Sequence, residues 1–418
     1  MTQALRSVLG LAVLATAAAA AGQVHVVDDD GGADFTTLEA AVAAAADGDL
    51  VLVKSGSYDG FTIDGKELVV TADQGELVGI EGTVTVQNLA ADQCVELRGL
   101  VVFGTLAFFG VEEALTLQDN AGRVWVEDCT AQSAGLMVSG KVPTVSVTAC
   151  ASVAFARCTL LGWNGSGAED GGDALCATDS QVWIYDSTLT GGQSGSIQII
   201  PGIAAKTGGS GLRLTDGFAF ASGTDFAGGP GGPGSSLFGQ CSDGGNGGDG
   251  ATLEGPAPEL HHLDSTFTAG APGQPGSGDP PCSAGLPGQD LVPGLGSVTA
   301  FAGEARPYSI TSPVREATDA ALHFEGQDGD FVFLDISFGQ GDLYFPQFTG
   351  VLLLEVPVLT LFLGNVGASG ALDLSLTVGT LAPGKQVFTA YTQFIVVDAA
   401  LVLRVGSPSS LTILDSGF

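Results

Sequence analysis

The first half of the chain repeats a short alternation of apolar and polar residues. Five copies of the pattern apolar-x-apolar-x-polar occur, and their starts are separated by 29, 29, 29 and 30 residues. A fixed period of this size is typical of a solenoid, and the alternation predicts that each repeat places a β-strand at the same position in successive coils. Stacked coils then pair these strands in parallel. The copies begin at Val95, Val124, Val153, Val182 and Leu212.

The constant spacing also predicts a register. Residues 29 positions apart should lie directly above one another, so Val126, Phe155 and Ile184 should form one column of core side chains.

The segment before the repeats has a different pattern. Residues 36–39 (TTLE) fit a capping box, and the alanine-rich stretch 38–46 predicts an amphipathic helix. A helix at this position would cover the open end of the stack, where unpaired strand edges invite aggregation. Short strands are predicted next, at 50–53, 61–63 and 68–70.

This entry segment carries a resemblance to a known superfamily. Residues 34–42 (DFTTLEAAV), 47–53 (DGDLVLV) and 56–58 (GSY) resemble the start of right-handed parallel β-helix proteins of the pectin-lyase-like superfamily. The resemblance spans about residues 24–300 and implies a fold. It does not imply one activity, because that superfamily contains lyases, hydrolases, epimerases and adhesins.

From residue 223 to 296 the period is interrupted by Gly/Pro-rich sequence. Along the whole stretch the spacing of glycine is irregular, so a collagen triple helix is not predicted. We expect long loops that leave the turns of the coils, and such loops often carry recognition in rigid scaffolds.

The ends of the chain complete the predicted organisation. Arg6, the apolar stretch 8–18 and the small residues 19–21 predict a signal peptide over 1–22, and the later sequence offers no apolar stretch long enough for a membrane span. After residue 300, short alternating strands separated by Gly, Asp and Pro predict an antiparallel sandwich. The expected protein is all-β: a right-handed parallel β-helix with an N-terminal helical cap over 23–300, then a small antiparallel β-sandwich over 301–418.

Charge narrows the range of partners. The net charge is −33, from 46 acidic and 13 basic residues. Phosphate backbones and anionic lipid surfaces would be repelled, which excludes nucleic-acid and membrane-surface binding. Cations, neutral glycans or a basic partner remain, and the sequence does not determine the oligomeric state.

Export makes disulfides feasible for the seven cysteines. Equivalent positions on adjacent coils are about 4.8 Å apart, within the Cα range of a disulfide. Free thiols stacked in an apolar column are the alternative for the cysteines of the coils. The candidate pairs are Cys129 with Cys158, Cys150 with Cys176, and Cys241 with Cys282.

Candidate catalytic residues follow the repeated pattern. Asp128, Asp186 and Asp216 are predicted to share one place in the repeat, with Arg157 inserted in the same column. By resemblance to β-helix pectate lyases, such a column would hold Ca²⁺ and abstract a proton α to a uronate carboxylate. The alternative is that these residues mark the turn after each strand, where Asp is favoured.

Candidate ligand-binding residues are of two kinds. Trp125 and Trp183 alternate with inward positions, so we expect them, together with Tyr185, to face solvent and offer a platform for sugars. Asp170 and Asp173 lie in an acidic loop, and Asp249 lies in a glycine-rich segment similar to a calcium-binding nonapeptide. No cofactor is predicted apart from Ca²⁺ at these aspartates, and a flexible loop is the alternative there.

The sequence therefore favours a secreted or cell-surface protein with a non-catalytic binding or structural role toward extracellular glycans or matrix. The alternative is an extracellular polysaccharide lyase or glycoside hydrolase that acts on acidic polysaccharides. The polygalacturonase residue set is missing from the chain, which weighs against the hydrolase.

Overall fold

The computed structural model describes residues 22–104, 106–107, 110–135, 141–165, 169–195, 206–237, 240–279, 281–345 and 349–418. The predicted signal peptide lies outside these residues, except for Gly22.

Three long parallel sheets form the first part of the molecule. Sheet A contains Val24–Val27, Asp49–Val53, Leu68–Ala72, Cys94–Arg98, Arg123–Glu127, Ser152–Ala156, Gln181–Tyr185, Phe218–Ser222, Glu259–Leu263 and Ser297–Phe301. Sheet B contains Gly56–Asp59, Val78–Glu81, Leu100–Phe103, Thr130–Gln132, Thr159–Leu161, Thr188–Thr190, Asp225–Ala227 and Thr266–Thr268. Sheet C contains Thr62–Asp64, Val84–Gln87, Leu115–Gln118, Val145–Thr148, Leu175–Thr178, Leu212–Thr215, Ala251–Glu254 and Leu291–Val292.

Each coil runs through sheets A, B and C in that order, which makes the fold a parallel β-helix. Connections between parallel strands are right-handed as a rule. The predicted column is confirmed, since Val126 pairs with Phe155 and Phe155 pairs with Ile184. All three side chains are buried in the apolar interior that the sheets enclose.

The fifth copy of the repeat does not occupy the same position as the other four, because it lies in sheet C. Leu212 pairs with Leu175 in sheet C, whereas the strand above Val182 in sheet A begins at Phe218. The alternation of apolar and polar residues is the same for any half-buried strand, so it does not distinguish the sheets. In this coil the connection from sheet B to sheet C is longer than in the coil before it. The next sheet C strand therefore starts 30 residues after Val182, close to the 29-residue period.

One α-helix, Leu38–Ala44, covers the N-terminal end of the β-helix. Thr37 is its N-cap and accepts a hydrogen bond from the Ala40 amide, while Leu38 and Val42 pack into the same apolar interior as the sheets. The helix is two residues shorter than predicted because the backbone becomes extended at Ala45. Within the described part of the chain, no helix has both the length and the apolar character to cross a bilayer.

The C-terminal part is an antiparallel β-sandwich with its own apolar core. Its three-stranded sheet contains Tyr308–Ile310, Asp319–Glu325 and Ala371–Thr377. Its five-stranded sheet contains Val314–Arg315, Leu403–Leu414, Val387–Val397, Phe331–Ser337 and Leu359–Asn365. Val314–Arg315 runs parallel to its neighbour, and the other neighbours are antiparallel.

The remaining strands form small antiparallel sheets of two or three strands. They are Gln340–Phe345 with Gly350–Leu354, Ser236–Leu237 with Gln240–Cys241, and Leu106–Ala107 with Gly110–Glu112 and Ala134–Gly135.

The sandwich packs against the outer surface of sheet A. An apolar cluster joins outward side chains of sheet A to the strand Gly350–Leu354, and a second, smaller cluster joins Leu50 and Leu52 to Val387 and Leu414. The outer surface of this sheet is therefore an interface, and sheets B and C carry the exposed faces of the β-helix.

Candidate functional site

The catalytic candidates lie at the corner that joins sheet A to sheet B. Asp128, Arg157 and Asp186 stack on one another there, with φ angles of 53°, 53° and 48°, and Gly99 occupies the same column with φ of 70°. Left-handed φ is rare for residues with a Cβ, and Gly and Asp adopt it most readily. The shape of this corner thus explains the aspartates as turn residues.

Asp216 lies at a different corner, between sheets C and A. It stacks on Asp179, and its Oδ1 accepts a hydrogen bond from the Ala257 amide at 3.2 Å. The prediction that Asp216 shares the column of Asp128 and Asp186 is wrong, because the pattern that precedes it forms a strand of sheet C.

Arg157 joins the corner of the β-helix to the sandwich. Its Nε donates to Asp128 Oδ1 at 2.7 Å, and its Nη2 contacts the Glu127 carboxylate. Its Nη1 donates to the carbonyl oxygens of Tyr308 at 2.7 Å and Pro408 at 3.2 Å. Every nitrogen of the guanidinium group is therefore used within the chain.

Arg98, two coils before Arg157 and one coil before Glu127, makes an equivalent set of contacts. It pairs with Glu127 Oε1 at 2.9 Å and with Asp128 Oδ2 at 3.0 Å. It also donates to the carbonyl oxygens of Ser410 at 2.7 Å and Ile310 at 3.0 Å. Two arginines thus neutralise two carboxylates at the base of the sandwich.

Two further carboxyl groups lie in this interface. Burial, followed by the charge of Glu127, raises the pKa of Glu96 to about 7, and its Oε2 has no hydrogen-bond partner among the described residues. Burial also raises the pKa of Asp186 to about 6, although the Ser407 hydroxyl donates to its carboxylate. Asp128, Arg157 and Asp186 do cluster, but Arg157 is bound by Asp128 and by backbone of the sandwich, and Asp186 accepts from the Ser407 hydroxyl of the sandwich. Asp186 Oδ1 is buried with no hydrogen-bond partner among the described residues, and the Asp128 side chain is 37% exposed.

The proposed aromatic platform is covered. Trp125, Trp183 and Tyr185 point away from the β-helix interior as expected, yet each is at most 2% exposed. Trp125 packs on the Tyr391 ring with centroids 5.4 Å apart, and Tyr185 donates to the Val351 carbonyl oxygen. The prediction that these rings face solvent is wrong because the sandwich packs on them. Large apolar side chains at successive outward positions of one sheet were the signal for a covering domain.

The cysteines follow two patterns. Cys241 and Cys282 form a disulfide, with Cα atoms 5.9 Å apart. Cys129 and Cys158 are free and buried, because side chains stacked in parallel register point in the same direction rather than toward each other. Cys150 and Cys176 are free as well.

The Cys150–Cys176 pairing fails for a positional reason. Cys176 pairs with Ser146 in sheet C, four residues before Cys150, so the two cysteines occupy different places in the coil. Both remaining coil pairings predicted from the sequence are therefore wrong in this structure.

The Gly/Pro-rich sequence forms an ordered two-layer slab rather than loops. Between sheets B and C, four successive coils extend outward and return as extended segments that stack on those of the next coil. We call the outgoing set row 1, with segments 162–165, 191–195, 228–234 and 269–276. We call the returning set row 2, with segments 169–173, 206–211, 243–250 and 283–290.

A ladder of backbone hydrogen bonds crosses between the two rows. Each bond runs from a glycine amide to a carbonyl oxygen of the preceding segment, at 2.8–3.0 Å. The donors, in order, are Gly172, Gly192, Gly209, Gly229, Gly248, Gly270 and Gly288. A Cβ on most of these glycines would overlap neighbouring backbone, and none of them has positive φ, so glycine is required for its size.

Along each segment the bonds recur every third residue, as in a polyproline-II helix. Gly228, Gly231 and Gly234 donate to the next segment of row 1, and Gly244, Gly247 and Gly250 do the same in row 2. The glycine spacing is thus regular within each tract, and only the breaks between tracts made it look irregular in the sequence.

The calcium candidates belong to this slab. Asp170, Asp173 and Asp249 face outward from row 2, and each accepts a hydrogen bond from a backbone amide of the next segment, at 2.6–2.8 Å. Asp173 also pairs with Lys141 and Arg213. Each carboxylate accepts the hydrogen bond of an outward-pointing backbone amide that has no carbonyl partner. Carboxylates used in this way, one per amide, do not form a shared cation site. Among the described residues, the one set of three carboxylates close enough for a metal ion is the loop Asp28, Asp29 and Asp30.

Proline ends the slab at its outer edge. In earlier segments of each row, the residue after the outward one has an amide that donates to the next segment, and it is a glycine except at Ala174 and Ser194. In the last segments the equivalent positions hold Pro272, Pro275 and Pro287, which have no amide hydrogen. The final segments therefore present few donors that a further strand could use.

No protein-family profile and no curated protein sequence matches the chain. Among solved structures, it is similar to the pectate lyase Pel9A, with 14% identity and a TM-score of 0.33 over 59% of this chain and 71% of that chain. It is also similar to Geobacillus virus E2 ORF18, with 11% identity and a TM-score of 0.28 over 88% and 82%. It is similar as well to the full-length tailspike protein 2 of Escherichia coli O157:H7 bacteriophage CAB120, with 10% identity and a TM-score of 0.29 over 91% of this chain and 66% of that chain. Similarities of this size carry no activity or substrate over to this chain.

Proposed function

We propose that the protein is exported and acts without catalysis, as a rigid scaffold that binds extracellular glycans or matrix. The observation that carries this proposal is the ion-pair network of Glu127 and Asp128 with Arg98 and Arg157 beneath the sandwich. A lyase needs a base and a cation that are free to meet the substrate carboxylate. Here these groups neutralise one another and hold the sandwich in place, which supports an interface role for the column.

Two further features support the extracellular part of the proposal. The Cys241–Cys282 disulfide suits an oxidising compartment. The net charge of −33 keeps the molecule soluble and directs it away from anionic surfaces. The slab then supplies a large, rigid surface for contact with a polymer.

The test measures turnover and binding on the same samples. The folded chain is incubated with polygalacturonate, alginate and several neutral polysaccharides, with and without calcium, and assayed for unsaturated uronate absorbance and new reducing ends. We expect retention by some of these polymers and no product. Cleavage by the folded chain would overturn the proposal. Its loss in Asp186→Asn, which keeps an acceptor for Ser407, would assign the activity to this column.

A further inference from the structure

The two faces of the slab differ in charge. The outward residues of row 2 include Asp170, Asp243 and Asp249, whereas Asp173 at another outward position is buried and paired with Lys141 and Arg213. The outward residues of row 1 form a series at every third position. Beyond the first coil, the carbonyl oxygen of each of them except Pro233 accepts a hydrogen bond from the preceding segment. They are Leu161, Asn164, Thr190, Gln193, Ala227, Pro230, Pro233, Thr268, Ala271 and Gln274.

None of these ten row 1 residues is charged, in a chain whose net charge is −33. We call them the uncharged face. Six are exposed, namely those at 164, 193, 230, 233, 271 and 274. Two carboxylates lie beside this face: Asp225 on sheet B accepts a hydrogen bond from the Thr266 hydroxyl at 2.5 Å, and Asp290 accepts one from the Ala269 amide of row 1 at 2.9 Å. The face thus differs from the rest of the surface in the one property that governs which polymers it can approach.

The uncharged face is also rigid. Its supporting glycines donate backbone hydrogen bonds to the next segment and to row 2, and bonds from the preceding segment reach the carbonyl oxygens of the outward residues between them. The Gln193 amide donates to Asn164 Oδ1 at 2.7 Å, and Pro230 and Pro233 have no amide hydrogen to satisfy. Segments in a row continue strands of sheet B, so they repeat at about 4.8 Å, comparable to the length of one sugar ring. A ligand would bind without ordering a loop, which lowers the entropic cost of association.

We propose that the uncharged face binds a neutral polysaccharide laid across the row 1 segments. The amide groups of Asn164, Gln193 and Gln274 supply donors and acceptors for hydroxyl groups, and the pyrrolidine rings of Pro230 and Pro233 supply apolar area for the C–H faces of sugar rings. An acidic polymer would find no positively charged side chain among these ten residues, and the net negative charge of the molecule would repel it. This inference rests on the proposed function and names its ligand class.

The experiment is affinity electrophoresis of the full chain in native gels. The gels contain galactomannan, hydroxyethylcellulose, dextran or polygalacturonate, at low and high salt. The test variant is Gln193→Glu/Gln274→Glu, which places two charges on the uncharged face. The control is Gln289→Glu, the same change at an exposed position of row 2. The side chains of all three glutamines are outward, so the slab backbone keeps its bonds.

We expect at least one neutral polymer to retard the chain, with little effect of salt because no charges are involved. The double variant should bind at least tenfold more weakly, while Gln289→Glu binds as the parent does. Failure of every neutral polymer to retard the chain, or equal retardation of the double variant, would overturn the inference. Binding of polygalacturonate alone, without cleavage, would overturn this inference but leave the proposed function standing. Cleavage of any polymer would overturn the proposed function.

Discussion

Arg157 donates from its Nε to Oδ1 of Asp128, one coil below it, at 2.7 Å. The same guanidinium group reaches the carbonyl oxygens of Tyr308 and Pro408 in the sandwich. A single side chain therefore links two coils of the β-helix to the C-terminal part of the molecule.

Removal of this arginine should weaken the interface. Arg157→Ala leaves the fully buried Glu127 with fewer cations, and loss of one partner of a buried ion pair costs ~3–5 kcal/mol. We expect that loss in the free energy of unfolding measured by denaturant titration. Arg123→Ala is the control: Arg123 pairs with Asp342 where both are about 30% exposed, and should cost ~1 kcal/mol or less. Equal losses in the two variants would contradict the role assigned to Arg157.

Stability should fall as pH rises through neutrality. The pKa of Glu96 is raised by burial from 4.5 to about 7 in the folded protein, so between these values the folded state binds more protons than the unfolded state. Stability from this group is therefore full below about pH 4.5 and is lost toward pH 7, and Asp186 acts in the same direction up to about pH 6.

The measurement is the denaturation midpoint at pH 5 and pH 8. We expect the midpoint to be lower at pH 8, and Glu96→Gln to reduce the difference by raising the midpoint there. Glu112→Gln, at an exposed position, should leave the difference unchanged. A midpoint for the parent chain that rises from pH 5 to pH 8 would show that Glu96 is not the dominant group in this range.

The slab should tolerate no side chain at its central glycines. A Cβ on Gly209 would overlap the carbonyl oxygen of Gly172, and such overpacking costs ~1–3 kcal/mol or more. Gly209→Ala should therefore make the segments 191–195, 206–211 and 228–234 sensitive to limited proteolysis. Gly367→Ala is the matched control, because nothing lies within 4 Å of its Cβ and its φ is not positive. If both variants resist protease as the parent does, the close packing of the rows is disproved.

Thiol counting should separate the disulfide from the stacked cysteines. Five of the seven cysteines are free, so alkylation of the unfolded, unreduced chain should add five labels, and seven after reduction. In the folded chain Cys129 should react slowly, because burial raises the pKa of its thiol to about 12. Mass spectrometry measures both results, and one or three labels before reduction would mean that coil cysteines are paired.

The stacking of coils was predictable from the sequence, because Val126, Phe155 and Ile184 repeat at a period that only a solenoid maintains. The docking of the sandwich was not, since the alternation of apolar and polar residues shows which side chains leave the interior but not what covers them. The sequence therefore predicts that Trp125 and Trp183 face solvent, whereas in the structure they pack in the interface with the sandwich.

The slab carried a signal that sequence reasoning missed. Gly270, Gly273 and Gly276 repeat every three residues, but the period is visible only inside each tract. The sequence predicts Asp170 and Asp173 as cation ligands because they lie in an acidic loop, and Asp249 because its segment is similar to a calcium-binding nonapeptide. In the slab some outward-pointing amides have no carbonyl partner, and the aspartates bind those amides.

Pro272, Pro275 and Pro287 have a consequence for the size of the molecule. A lattice that gains one layer with every coil has no inherent limit, and two molecules with open edges would join into a fibre. The prolines in the last layer have no amide hydrogen, so this edge offers few donors to the same edge of a second molecule. The three prolines therefore disfavour the joining of slabs through backbone hydrogen bonds at this edge.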